Sequence, residues 1–145
     1  MSEKKAPRTH AERAHFDDSL RRCTSDPRFL ERFSALFLAS SDEVRHKFST
    51  TDFQKQRRVL QASFHMVLLA ANGDPVGTAH FERLAVLHSQ QHLDIPPHLY
   101  DLWLDCLVQA VREGDPQCTP ETESLWRRMM ANGMAFMKAH YHPQV

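Results

Sequence analysis

Three histidines, His88, His92 and His98, fall within eleven residues of the segment LHSQQHLDIPPHLY. A neutral imidazole nitrogen is a strong ligand for iron or zinc, so this spacing raises three readings. One histidine ligates iron from a helix end, His88 and His92 form a zinc pair, or all three are surface side chains. His88 and His92 stand at i and i+4, on one face of a helix. Asp94-Ile95-Pro96-Pro97 ends that helix, and no Cys or Glu stands at a spacing that would complete a zinc site. His88 follows the apolar run Leu84-Ala85-Val86-Leu87, which suits an imidazole held against a buried ring. His98 belongs to the first turn of the next helix and is expected to face solvent, as are His140 and His142. One further polar residue stands out. Gln56 begins an apolar stripe and reads either as a helix-surface side chain or as an amide donor into a pocket.

Bulk properties exclude several other chemistries. Eighteen Lys and Arg balance eighteen Asp and Glu, so no charge excess points to nucleic acid. The longest strictly apolar run, Met66-Val67-Leu68-Leu69-Ala70-Ala71, is far too short to span a bilayer. No apolar segment follows the charges of MSEKKAPRTH, so no secretory signal is read there and a cytoplasmic location is expected. Cys23, Cys106 and Cys118 form no C-x-x-C pair and read as plain thiols. A chain of 145 residues is long enough for one domain with a real core.

The elements that must position these side chains are helical. The eight prolines all avoid the periodic segments, Ile95 is the single isoleucine, and no stretch alternates as a strand does. Helix starts are readable from caps: Asp26 before Pro27, Ser40 with Glu43, Ser49 with Asp52, and Thr119 before Pro120. Asn72-Gly73-Asp74-Pro75 supplies a glycine stop followed by proline. Apolar spacing between these marks predicts helices near 9–23, 27–39, 41–48, 51–72, 77–91, 97–114 and 120–141. Residues 1–8 are expected as a flexible N-terminal tail, with one domain over 9–145.

About seven helices, with a very short third one closing on Phe48, resemble the all-α globin fold packed around a haem pocket. Three segments carry the resemblance, which is to single-domain bacterial globins and the globin domains of flavohaemoglobin-type and globin-coupled sensor proteins. FLERFSALFLASSDEVRHKF resembles the globin second and third helices, ending on the phenylalanine that packs against haem, here Phe48. FQKQRRVLQASF resembles the start of the distal helix, with Gln56 over the iron and Leu60 one turn on. LAVLHSQQHLDIPPHLYDLW resembles the proximal helix and its neighbour, with His88 as iron ligand. Gln56 and His88 lie 32 residues apart, similar to the distal glutamine and proximal histidine of that bacterial class.

The resemblance implies one haem b bound through His88, with Phe33, Phe48, Gln56, Leu60, Leu84, Leu87 and Tyr100 around it. It implies reversible binding of dioxygen, nitric oxide or carbon monoxide by a carrier, buffer or sensor subunit rather than an enzyme. Nucleic acid and membrane are not expected partners; a second copy, or a separate signalling or reductase protein, is. Rim cations that could neutralise the haem propionates are Arg57, Arg58, Arg83 and His92. Three departures matter. The segment from His88 to Tyr100 runs a residue or two longer than in most globins, which leaves His92 as a competing ligand. Where relatives of the flavohaemoglobin type set a tyrosine above the iron, the match is Phe33, or Ser34 if the register slips by one. Tyr100 matches the tyrosine that, with an acid on the last helix, polarises the proximal histidine there, but no Asp or Glu occurs after Glu123. The alternatives are a nitric-oxide dioxygenase or haem redox enzyme served by a separate reductase, and a haem-free globin-like interaction module.

Overall fold

The computed structural model describes residues 9–71, 73–89, 94–139 and 141. The expected tail over 1–8, the competing ligand His92, and His140 and His142 lie outside the described residues. The element order is α1 (His10–Thr24), α2 (Phe29–Ala39), α3 (Asp42–Lys47), α4 (Phe53–Ala71), α5 (Pro75–Leu87), α6 (Pro97–Gly114) and α7 (Pro120–Ala139). The expected all-helical architecture is therefore present, with no strand among the described residues.

Local chemistry explains most helix ends, and corrects some expected ones. Thr9 and Glu12 form a reciprocal capping box at α1. At α3 the cap is Ser41, whose hydroxyl accepts from Val44 N, while its neighbour Ser40 closes α2 instead. Two adjacent serines offer the same side chain, and only the backbone decides which one turns. Asp52, not Ser49, caps α4 by accepting from Lys55 N at 3.2 Å. Asp74 accepts from Val76 N, so α5 begins at Pro75, two residues earlier than its apolar pattern suggests. Gly73 takes φ +81°, the left-handed conformation that ends α4, and its amide reaches Ala70 O at 3.0 Å.

The core has two aromatic centres. Trp126 is fully buried at the first, with the Phe16, Phe64 and Phe29 rings at 4.7, 5.5 and 6.4 Å. A second row runs along α2 to the end of α3: Phe33 stacks on Phe37 at 5.9 Å, and Phe37 meets Phe48 at 5.4 Å. α2 crosses α6, and α5 lies against both α4 and α7.

A buried polar knot ties α1 to the turn before α7. Asp115, whose side chain has no exposure, accepts from Arg22 Nε at 2.5 Å and from Ser19 Oγ at 2.7 Å. Ser19 Oγ in turn accepts from Trp126 Nε1 at 2.9 Å, so the knot also orients the central indole. Burial pushes the Asp115 carboxyl up, but the bonds from Arg22 and Ser19 outweigh it and hold the group below its ordinary value. A depressed folded-state pKa contributes stability above the unfolded value near pH 4, lost as pH falls through the folded one. Asp115→Asn should cost about 3 kcal/mol, typical for breaking a buried ion pair. Urea unfolding at neutral pH checks the loss, and the gap between variant and wild type should narrow as the solution is acidified below about pH 4.

Candidate haem site

α5 carries His88, and three contacts fix where α5 runs. At Gly77 a β-carbon would sit 2.5 Å from Ala70 N and 2.6 Å from Met66 O, so the α4 and α5 backbones meet directly. His80 Nε2 lies 2.8 Å from Ser63 Oγ of α4. The Phe81 ring packs over Gly133 of α7, 3.1 Å from where a β-carbon would stand.

His88 closes α5 as its C-cap, with φ −88° and ψ 0°. Its Nδ1 lies 2.8 Å from Leu84 O, a hydrogen bond in which the ring donates. That bond selects the tautomer whose Nε2 carries a lone pair, and Nε2 makes no hydrogen bond among the described residues. Burial pushes the imidazole below its ordinary value, partly offset by the bond to Leu84, so the ring is neutral at pH 7. A half-buried, neutral imidazole with one nitrogen tied to the backbone and the other unused could ligate a haem iron.

The residues expected on the distal side stand on α2, α3 and α4. Gln56 lies in the first turn of α4, half-buried, one turn before half-buried Leu60 and on the stripe that continues to buried Phe64 and Val67. Phe33 is buried on α2 and Phe48 half-buried at the end of α3, joined through Phe37. Ser34, the other candidate for that place, is also buried. Leu84 is half-buried one turn before His88, whereas Leu87 is 49% exposed. Tyr100 is buried on α6, and burial pushes its phenol up to about 12, so it stays protonated. Its hydroxyl makes no hydrogen bond among the described residues.

Other side chains singled out in the sequence have surroundings of their own. Arg57 and Arg58 line a cleft of about 280 Å³ with Thr24, Asp26, Pro27 and Glu31, on the α4 face beside the one bearing Gln56 and Leu60. His98 is exposed as expected, yet its Nε2 lies 2.7 Å from Glu43 Oε1 and links α6 to α3. The three cysteines are free, and burial pushes Cys23 up to about 12, which makes it a poor nucleophile. No group of three or more His, Cys, Asp or Glu side chains gathers to hold a metal ion among the described residues. No helix among them is long and apolar enough to cross a membrane.

Sequence reasoning missed Trp103, whose ring meets Phe33 edge-on at 5.6 Å and backs the α2 wall from α6. Only its i+3 step from Tyr100 could have signalled it.

The globin family model matches residues 27–137, a stretch that holds every residue of this site. The chain belongs to the globin family. A crystal structure of a Pseudomonas aeruginosa PAO1 protein, described as structurally highly homologous to a human hemoglobin, matches with a TM-score of 0.83. The two are 39% identical over 90% of this chain and 98% of that one. No curated protein matches the chain. Globins generally bind haem and, through it, diatomic gases such as dioxygen.

Proposed function

We propose that this globin holds one haem b through His88 Nε2 and reversibly takes up dioxygen or another diatomic gas, as a carrier, buffer or sensor subunit. The carrying observation is the Nδ1 bond from His88 to Leu84 O, which leaves a neutral Nε2 unused on a half-buried ring. Haem supplies the iron that takes the gas. The chain supplies the rest. Leu84 O fixes the imidazole tautomer, Phe48, Leu60 and Leu84 offer apolar surface to a flat ring, and Leu87 lies at the rim. Gln56 presents a neutral amide donor from the distal helix, and Phe33 offers an apolar wall where a phenol would trap the gas. Tyr100 has no carboxylate partner among the described residues, so it gives His88 no added negative charge of the kind that favours O–O bond cleavage. Free thiols at Cys23, Cys106 and Cys118 suit a reducing cytoplasm.

His88→Ala tests the assignment. Protein expressed with haem supply should lose stable haem, and added imidazole should restore a wild-type-like spectrum. A wild-type carbon monoxide spectrum in His88→Ala, with haem lost in His92→Ala, would move the ligand to His92. The distal wall is tested by dioxygen release after flash or stopped-flow mixing. Gln56→Leu should speed release several-fold to about tenfold, the worth of one neutral hydrogen bond, and change carbon monoxide binding less. Phe33→Tyr should slow release about tenfold by adding a donor. An unchanged rate in Phe33→Tyr would shift attention to Ser34.

A further inference from the structure

Asp94 and Ile95 bond to the backbone at the end of α5. Asp94 N donates to Ser89 O at 2.8 Å, and Ile95 N donates to His88 O at 3.1 Å. The backbone carbonyls of the candidate axial histidine and its neighbour are thus pinned by Asp94 and Ile95. Asp94 has φ +56°, the one described non-glycine residue with positive φ. Aspartate tolerates this left-handed conformation better than most residues, yet it still costs energy unless neighbours hold it.

Two neighbours do. The Tyr141 hydroxyl, just past the end of α7, donates to Asp94 Oδ1. Lys47 Nζ, at the end of α3, lies 3.5 Å from Asp94 Oδ2. One carboxylate therefore joins the end of the distal wall, the end of the last helix and the loop behind His88. Ile95, the next residue, is buried in the core with Leu99, so the backbone just after Asp94 is anchored as well.

We propose that Asp94, clamped by Tyr141 and Lys47, is a positioning residue that sets the tilt of the His88 imidazole toward the haem iron and thereby tunes gas release. The inference rests on His88 being the axial ligand. His88 sits at ψ 0°, at the junction of helix and loop, so a shift of its carbonyl turns the ring about the Leu84 bond. The side chain and carbonyl of His88 are held from opposite ends, by α5 and by the Asp94 loop. Releasing one end changes how squarely Nε2 can meet a metal. Because the clamp also touches the end of α7, whatever binds or moves that helix end acts on the same histidine.

The test uses the full-length, haem-loaded protein and the iron–histidine stretching band of its ferrous, gas-free form, read by resonance Raman. Tyr141→Phe removes one hydroxyl, and Asp94→Asn keeps both shape and tolerance of positive φ. Both should shift and broaden the band and change dioxygen release about fivefold, the lower end of coupling between two sites. Lys47→Met should act in the same direction and more weakly. Ser19→Ala, in the distant Asp115 knot, controls for general loss of stability and should lower the melting temperature without moving the band. If the band is lost in His88→Ala but unchanged in both Tyr141→Phe and Asp94→Asn, the positioning role is wrong and the ligand assignment stands. If the band persists in His88→Ala, the ligand assignment is wrong and this proposal falls with it.

Discussion

Where α4 crosses α5 there is no room for a β-carbon: Gly77 lies so close to the chain at Met66 and Ala70 that any side chain would meet backbone rather than a movable group. A substitution there must push two helices apart. Those two helices carry the two halves of the proposed site, Gln56 and Leu60 on α4, and Leu84 and the C-cap His88 on α5. The close approach at this point pins the start of α5 to the second half of α4. The His80–Ser63 contact and the seat of Phe81 on Gly133 hold α5 on either side of it.

The remaining helices are tied by other contacts. The knot of Asp115, Arg22, Ser19 and Trp126 locks α1 against α7. Its strongest partners are charged and buried, so it specifies one arrangement of those helices rather than simply adding apolar area. The row Phe33, Phe37 and Phe48, backed by Trp103, forms a rigid apolar wall. Gln56 contributes a polar group at its edge, which agrees with gas exchange rather than tight trapping.

Most of the fold was legible because helix ends are local. Thr119, Gly73 and Pro75 act through groups within four residues, and their types betray them, whereas Asp26 does not cap α2, which begins at Phe29 behind Arg28 while Asp26 accepts from Arg28 N in the turn before it. The errors were of the same range: Ser40 against Ser41, or Ser49 against Asp52, where two capable side chains compete and tertiary placement decides. The site residues came from a family resemblance and not from spacing alone, since Phe33, Phe48 and Leu60 suit any helical core. What the sequence could not show is long-range. Nothing in it says that Trp103 backs Phe33, that Arg57 and Arg58 turn to a cleft beside α1, or that Asp94, Lys47 and Tyr141 converge. Asp94 was visible only as part of a helix stop.

The central claim is one axial imidazole facing an apolar distal wall that supplies no second ligand. The absorption spectrum of the ferrous, gas-free protein tests it most directly. A five-coordinate, high-spin spectrum that converts cleanly on adding carbon monoxide is the expected result. A six-coordinate, low-spin ferrous spectrum, with a side chain of this chain on both faces of the iron, would contradict it.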